Sequence, residues 1–270
     1  MKYLLCFFSL ALIFSCQRQK ETIGTFVDTG DIQLIAPTYK IDSVFFKNKA
    51  TVAFTFAYPN SEIRYTTDGS EVTAASPLYT HPFNVRKSCK VKAKVFHEDF
   101  KTSDIVEFDA KQLKHNISKA IITIAPSPGN NYTANGTKSL VDAKSGTLQF
   151  RNSDRWLGFN KDEVVINLSL PKKLELSKLI VHQMTSQNSW IFSPQKIAVF
   201  SGSKLIGQYL NETAAEKFPG DASLNFIEIP IEQATYESFK IVVHNLEKIP
   251  DWHPAANQTP WLFIDEIIVE

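Results

Sequence analysis

The clearest candidate for acid–base chemistry in the sequence is a pair of adjacent carboxylic acids near its C-terminal end, Asp265 and Glu266. Acid–base hydrolysis needs two carboxyl groups that converge on one bond, and one of them protonates the leaving oxygen. Neighbouring residues of a β-strand direct their side chains to opposite faces of the sheet. Because residues 261–269 have the apolar pattern of a strand, we expect this pair to diverge and to carry no catalysis.

The motifs of other catalytic, nucleotide-binding and metal centres do not occur in the chain. H-E-x-x-H, G-x-S-x-G, G-x-G-x-x-G and G-x-x-x-x-G-K are all missing from the sequence. The six histidines, which lack the close spacing of metal ligands, are His81, His97, His115, His182, His244 and His253. The sequence therefore predicts that the protein is not an enzyme.

Composition and charge exclude several further classes. The 270 residues are 43% hydrophobic and 21% charged, which is ordinary for a globular protein of one or two domains. Lys and Arg number 29 and Asp and Glu number 28. Without a basic excess to neutralise phosphates, we expect no nucleic-acid partner.

The N-terminal residues have the pattern of a targeting segment. Lys2 precedes an apolar run over residues 4–14, which is too short to span a bilayer and is typical of a signal peptide. The run ends at Ser15-Cys16, which resembles the lipobox of bacterial lipoproteins. This resemblance implies a signal peptide over 1–16, acylation of Cys16, a tether over 17–31, and a lipid-anchored place in the cell envelope, at the outer membrane or surface of a Gram-negative bacterium. The alternative is an ordinary secretory signal with an incidental cysteine.

Cysteine usage excludes an internal disulfide. Of three cysteines, Cys6 lies within the predicted signal peptide and Cys16 at its end, which leaves Cys89 in the body of the chain. We interpret Cys89 as a small apolar filler rather than a reactive thiol.

The body of the chain has the two-residue periodicity of half-buried β-strands. Apolar and polar residues alternate over 51–56 and over 90–95. Between them, a strand runs into the turn Asp68-Gly69, which predicts a hairpin. We therefore predict a small β-sandwich over residues 32–110.

A second set of strand patterns follows a polar linker at residues 111–118. The predicted strands are 163–168, 178–184, 196–200, 225–231, 239–244 and 261–269. Convincing amphipathic helices are absent, so the prediction is an all-β protein with two β-sandwich domains in series, the second over 119–270. All four tryptophans lie in this second unit, where an aromatic ligand-binding surface is to be sought.

The first unit resembles the small C-terminal β-sandwich of chitobiases and β-hexosaminidases. The residues that carry the resemblance are 63–73, with the sequence Ile-Arg-Tyr-Thr-Thr-Asp-Gly-Ser-Glu-Val-Thr, then Ser76-Pro77-Leu78-Tyr79, Pro82-Phe83 and 91–96. The family's usual proline two residues after the glutamate is Thr73 here. The resemblance implies an immunoglobulin- or fibronectin-like sandwich.

The second unit resembles a coagulation-factor 5/8 type C domain, the discoidin-like jelly roll also found in family-32 carbohydrate-binding modules. The matching stretches are Ser139-Leu140-Val141-Asp142, Trp156-Leu157-Gly158-Phe159, Trp190-Ile191-Phe192-Ser193-Pro194 and 261–267. This pair of domains is similar to the tail that follows the catalytic barrel in family-20 β-hexosaminidases. The chain has no room for such a barrel, and similarity to a tail does not confer the activity of the enzyme.

The discoidin-like resemblance implies a structural calcium ion. Its ligands map onto Asp142, the turn at Thr147, and Glu266, and calcium prefers six to eight oxygen ligands. Ala143 and Lys144 depart from the family pattern, in which glycine and a further acid or asparagine follow the aspartate. The alternative is that Asp142 caps a turn and Glu266 pairs with a lysine.

The same resemblance implies a sugar site in the loops at one end of the sandwich, where an aromatic face lies against the sugar ring. The first candidate is the loop that carries Trp252, His253 and Asn257; Trp190 is the second and Arg155 the third. The alternatives are that the tryptophans pack in the core and that His253 is an ordinary hydrogen-bonded histidine.

The resemblances together imply a non-catalytic, lipid-anchored envelope protein that assists glycan capture. Its ligand is an N-acetylhexosamine- or galactose-type sugar, and its membrane contact is the lipid anchor. The alternative is a structural or protein-interaction module that docks onto an envelope partner or a glycosidase without a sugar ligand. A third reading is a degenerate module with no ligand.

Overall fold

The computed structural model describes residues 28–270, and the predicted signal peptide and Cys16 lie outside this range. Within it the chain is all-β, as predicted, with strands interrupted by three short 3-10 helices at Thr29–Asp31, Thr137–Val141 and Gln187–Ser189. None of these described helices is long and apolar enough to cross a membrane.

The first part of the chain forms a sandwich of two small sheets. Its strands are β1 (Thr38–Ile41), β2 (Phe45–Phe46), β3 (Ala50–Thr55), β4 (Glu62–Thr66), β5 (Phe83–Val85), β6 (Cys89–Phe96) and β7 (Val106–Gln112). One sheet has the order β1-β3-β5 and the other the order β2-β7-β6-β4. The predicted alternation is confirmed, because Val52 and Phe54 of β3 share one buried core with Val91 and Ala93 of β6.

The prediction of a hairpin at Asp68-Gly69 is wrong about the strand that pairs with β4. The turn itself forms, with Gly69 at a φ of 78° and the Ser70 amide donating to the Asp68 carboxylate over 3.0 Å. After it, the chain returns to β4 only at one bridge, between Arg64 and Leu78, and the full antiparallel partner of β4 is β6. Pro77 lies next to that bridge and has no amide hydrogen for a ladder, which limits the pairing.

The second part of the chain forms a larger sandwich from one extended sheet. Its strands are β8 (Ile121–Ala125), β9 (Leu157–Phe159), β10 (Glu163–Thr185), β11 (Lys196–Ser201), β12 (Lys204–Leu210), β13 (Ser223–His244) and β14 (Leu262–Val269). Their order is β12-β11-β13-β10-β14-β9, with β8 paired to β10.

Two long antiparallel strands, β10 and β13, run through both layers of this sandwich. Their register shifts between Ser169 and Leu174, and again between Leu176 and Lys178. Residues from both sides of the shifts, such as Ile166 and Val181, lie in one buried cluster. Each long strand therefore bends over at the irregularity and supplies both walls of the core.

The two sandwiches are in contact. Phe45 of β2 is buried against Ile180 and Ile268 of the second sandwich, and its ring centroid lies 5.2 Å from that of His182. Lys111, at the end of β7, donates to Glu228 of β13 over 2.8 Å. Lys111 and Gln112 thus continue a strand, although residues 111–118 were predicted to be a linker. The domain boundary itself stays a prediction.

Candidate functional site

One side chain, Gln187, ties together three loops at one end of the second sandwich. Its amide nitrogen donates to the Glu216 carbonyl over 2.8 Å, and its amide oxygen accepts from the Phe218 backbone over 2.7 Å. Its own carbonyl accepts from the Trp190 amide and from the His253 ring. The loops at 186–195, 211–222 and 245–261 are therefore fixed relative to one another.

Trp252 presents a fixed and half-exposed aromatic ring on this surface. The residue is 41% exposed, and its indole nitrogen donates to the Ala215 carbonyl over 2.8 Å. The ring centroid lies 5.5 Å from that of His253 and 6.3 Å from that of Phe192. One edge of the indole is thus anchored in protein while part of the ring faces solvent.

The structure corrects the role predicted for His253. This residue is only 7% exposed. Its Nδ1 accepts from the Ala255 amide over 3.0 Å, so the proton is on Nε2, which donates to the Gln187 carbonyl. With both ring nitrogens engaged, His253 positions Trp252 and is not a group that contacts a ligand. The alternative of a hydrogen-bonded histidine describes it.

Trp190 and Asn257 are brought to the same set of loops. Trp190 is 40% exposed, and its φ of 65° places it in the left-handed region, which costs roughly 1 to 2 kcal/mol in a non-glycine residue. Hydrogen bonds to Gln187 and from Trp261 hold it there. Asn257 is exposed with a φ of 67°, and its amide donates to the Ile249 carbonyl.

Arg155 does not belong to this surface. Its guanidinium lies 3.8 Å from Asp142 and 3.3 Å from Asp154. Within the described residues it has no hydrogen bond, ion pair or ring contact with the loop that carries Trp252. Its prediction as a sugar-binding residue is therefore not supported by its position, because its contacts are with the loop that precedes β9.

The acids of β14 converge on that same loop, contrary to the sequence-based expectation. The register between β10 and β14 shifts at His182, so Asp265 is an extra residue in a β-bulge. The Gly146 amide donates to Asp265, and the Ala143 amide donates to Glu266 over 2.9 Å. The prediction that the two side chains diverge is wrong, because the bulge cancels the strict alternation of the strand.

Burial raises the pKa of two acids in this cluster, Glu266 and Asp142. Glu266 is 2% exposed, and its burial, together with the charges of Asp265 and Asp142, raises its pKa to about 9. Burial also raises the pKa of Asp142. Asp265 is fully buried and lies 2.6 Å from the Nδ1 of His182. Little of either carboxyl group faces solvent, although Glu266 lines a cavity together with Asp142 and Lys114.

The residues predicted to bind calcium do not form an oxygen cage. Amide hydrogens of Ala143 and Lys144 already point at the carboxylates of Glu266 and Asp142, and the Trp156 indole donates to the Thr147 carbonyl over 2.9 Å. Between residues 28 and 270, no group of three or more acid, histidine or cysteine side chains is arranged to hold a metal ion. Donors thus occupy the directions a cation would use, so this set does not fit calcium.

Comparison with family models supports the resemblance of the first unit. The model of the chitobiase/β-hexosaminidase C-terminal domain matches residues 42–107. No curated protein matches the sequence.

Solved structures similar to the chain include three from bacteria. A family 32 carbohydrate-binding module of Streptococcus pneumoniae EndoD is 11% identical and has a TM-score of 0.38, with 57% of this chain and 97% of that chain covered. The C-terminal domain of a Bacteroides fragilis chitobiase is 13% identical, with a TM-score of 0.35 and coverage of 58% and 95%. A Ruminococcus gnavus GH29 fucosidase is 15% identical, with a TM-score of 0.34, and the match covers 58% of this chain and only 26% of the fucosidase. Over residues 42–107, the chain is similar to the chitobiase/β-hexosaminidase C-terminal domain, whose family model matches there.

Proposed function

We propose that this protein is a non-catalytic, glycan-binding protein of the cell envelope, with its ligand surface at Trp252, Trp190 and Asn257. The anchor is the acylated Cys16 implied by the lipobox-like sequence at the end of the predicted signal peptide. The outer membrane or surface of a Gram-negative bacterium is the proposed location.

The observation that carries the proposal is the environment of Trp252. A tryptophan that is 41% exposed and yet held by a 2.8 Å hydrogen bond loses little conformational freedom when a ligand covers it. A sugar ring has an apolar C–H face, which an exposed indole can cover. The hydroxyl groups of the sugar need polar partners nearby. Asn257 is exposed on the same loop and offers an amide donor and acceptor.

The ligand class follows from the family resemblance alone. N-acetylhexosamine- or galactose-type sugars are the proposed ligands. A few hydrogen bonds and one aromatic contact give weak binding, with a dissociation constant in the millimolar to high-micromolar range, or about 4 to 5.5 kcal/mol. Several copies on one membrane bind a polymeric glycan more tightly through avidity.

The buried acids support the non-catalytic part of the proposal. The adjacent carboxylic acids Asp265 and Glu266 are both almost completely shielded from solvent. Both accept hydrogen bonds from the loop at 142–147, which is a structural use of their oxygens.

The test is a glycan-array screen of residues 17–270, followed by titration of each hit by calorimetry. Trp252→Ala should weaken binding about tenfold or more, because covering an aromatic face contributes about 1.5 kcal/mol or more. Tyr58→Ala is the matched control, since Tyr58 is an aromatic residue of similar exposure in the first sandwich. Binding unaffected by Trp252→Ala contradicts the site, and a wild-type chain that binds no glycan contradicts the function.

An EDTA arm of the same screen tests the calcium prediction. We expect EDTA to leave glycan binding unchanged, because backbone amides already satisfy the carboxylates of Asp142 and Glu266. Loss of binding in EDTA that calcium restores would show instead that the loop rearranges around the ion.

One observation favours the second candidate function, docking onto an envelope protein or glycosidase. The first sandwich carries a shallow groove of about 500 Å³ with a mainly apolar lining. Ile35 is 76% exposed there, and Tyr58 lies at the other side of the groove. Exposed apolar surface of this kind is typical of interaction sites. If the array finds no glycan, pull-down from envelope extract with wild type and Ile35→Asp is the decisive follow-up.

A further inference from the structure

A second concave surface lies beside the loops that carry the tryptophans, and the proposed function does not use it. It is a groove of about 390 Å³ between the end of β10, the start of β13 and the loop at 211–222. We call it the polar groove. Its polar lining includes Gln183, Thr185, Ser193 and Asn225. A cavity of this volume falls within the usual range for a small-molecule site.

The polar lining of the groove is made of neutral amides and hydroxyls with incomplete hydrogen bonding. Gln183 is only 1% exposed, and its amide nitrogen reaches Thr185 at 3.2 Å and Ser193 at 3.5 Å. Its amide oxygen is buried and has no hydrogen-bond partner within residues 28–270. The Asn225 side-chain nitrogen donates to the Ser223 hydroxyl over 2.8 Å and reaches the same Thr185 hydroxyl only at 3.4 Å. These long or missing bonds leave polar capacity that a ligand hydroxyl or amide can use.

The charges around the groove favour a neutral ligand. Glu228 lies at its edge, but Lys111 and Lys178 neutralise it at 2.8 and 2.6 Å. Glu216 and Lys217 are neighbours of opposite sign on the loop. The lining therefore has no uncompensated charge of one sign, as a phosphate or carboxylate ligand would require.

The groove also offers apolar surface beside its polar groups. Phe218 and Pro219 line it from the loop, and Ile227 lines it from β13. A surface that combines amides, hydroxyls and an aromatic ring matches a sugar unit, which has hydroxyl groups on its edge and C–H groups on its faces.

The groove and the tryptophan surface share one loop. Ala215, whose carbonyl holds the Trp252 indole, lies between Ala214 and Glu216, which both line the groove. Gln187 fixes this loop through Glu216 and Phe218. The loop is therefore held in place by hydrogen bonds and borders both surfaces.

We propose that the polar groove binds a neutral sugar unit, with the side-chain amides of Gln183 and Asn225 as its hydrogen-bonding partners, as a second subsite beside Trp252. This inference rests on the proposed glycan-binding function, and it extends the ligand from one sugar unit to at least two. Two adjacent subsites predict that an oligosaccharide binds more tightly than its monosaccharide.

The experiment uses residues 17–270 labelled with ¹⁵N, and the probes are N-acetylglucosamine, galactose and their disaccharides chitobiose and lactose. We expect a disaccharide to shift the side-chain amide signals of Gln183 and Asn225. Gln183→Met, which keeps the side-chain length and removes the amide, should lower the affinity for that disaccharide at least tenfold. Gln208→Met is the matched control, because Gln208 is exposed on β12 and does not line the groove.

A second variant separates loss of binding from loss of folding. Asn225→Leu changes a half-buried position and should reproduce the lost affinity if Gln183→Met fails to fold. The subsite is overturned if the amide signals do not move and both groove variants keep full affinity for the disaccharide. If Trp252→Ala loses affinity in that same experiment, the proposed function still stands and only the second subsite fails. If no probe binds the wild type, the proposed function and the subsite fail together.

Discussion

At position 266 the chain keeps a carboxyl group where almost no water reaches it. Folding raises the pKa of Glu266 from an ordinary value of 4.5 to about 9, mainly because burial disfavours the charged form. The protonated group still accepts from the Ala143 amide, so it acts as a neutral hydrogen-bonding side chain. At neutral pH this residue therefore contributes structure rather than charge.

The raised pKa of Glu266 predicts a pH dependence of stability. The unfolded chain releases this proton near pH 4.5 and the folded chain near pH 9. The contribution of protonated Glu266 to the free energy of unfolding is fully present below about pH 4.5. It is lost as the pH rises toward 9, by at most about 1.4 kcal/mol per pH unit. Glu266→Gln removes this pH dependence. In urea unfolding at pH 5, 7 and 9, the free energy of unfolding of the variant should therefore increase relative to that of the wild type as the pH rises.

The control for that experiment is Glu232→Gln. Glu232 is exposed and pairs with Lys204 at the surface, so its replacement should shift stability by less than about 1 kcal/mol. If the Glu266→Gln and wild-type curves stay parallel across this pH range, the carboxyl group is not held protonated by the fold.

Residue types predicted some side-chain roles and not others. The polar, proline-bounded loop of Trp252 was visible in the sequence, whereas exposure and core packing of its indole stayed open as alternatives. The engagement of both His253 nitrogens was not visible, because its partner Gln187 is 66 residues away in the chain. Gln183 was missed for the same reason, although a polar residue within an otherwise apolar strand was a usable signal.

Among the elements, the loop at 142–147 depends on the close approach of Gly146 to an indole. A Cβ atom added at Gly146 would lie 2.3 Å from a ring carbon of Trp156, which is fully buried. The glycine amide also donates to Asp265 in the bulge of β14. Loop, indole and bulge therefore form one packed unit that leaves no space for a side chain.

We predict that Gly146→Ala lowers the free energy of unfolding by about 1 to 3 kcal/mol, the usual cost of overpacking. Chemical denaturation measures this loss directly. Gly30→Ala is the control, because a Cβ there meets only the Asp28 side chain at 3.4 Å. An unchanged midpoint for Gly146→Ala would show that Trp156 moves aside freely.

Strand positions were predictable from periodicity, whereas strand continuity and bulges were not. The predicted strands 163–168 and 178–184 are parts of one strand, β10, whose middle residues are mostly exposed and include Pro171. The bulge at Asp265 leaves no mark in the residues around it, since β14 is buried along its whole length. Both features depend on pairing with distant strands.

At the scale of the whole molecule, the two sandwiches share a small apolar contact reinforced by ion pairs. Phe45 is 3% exposed and meets Ile180, Ile268 and Phe226 of the second sandwich. Lys111 lies at the edge of this contact, paired with Glu228. Sequence patterns describe each sandwich by itself, so this contact between them was not predicted.

We predict that Phe45→Ala lowers stability by about 3 to 5 kcal/mol and separates the unfolding of the two sandwiches. Calorimetry should show one cooperative transition for the wild type and two for the variant. The control is Phe83→Ala, whose side chain packs only within the first sandwich and should lower the transition without splitting it. A single transition in Phe45→Ala would mean that the ion pairs alone couple the two units.

The distribution of tryptophan gives the molecule an internal optical label. All four indoles belong to the second sandwich: Trp156 is fully buried, whereas Trp190 and Trp252 are 40% and 41% exposed. Intrinsic indole emission therefore reports on the second sandwich alone, and tyrosine emission is needed to follow the first. Acrylamide quenches exposed indoles and spares buried ones, so a ligand that covers Trp252 protects part of the emission while the signal of Trp156 continues to report an intact core.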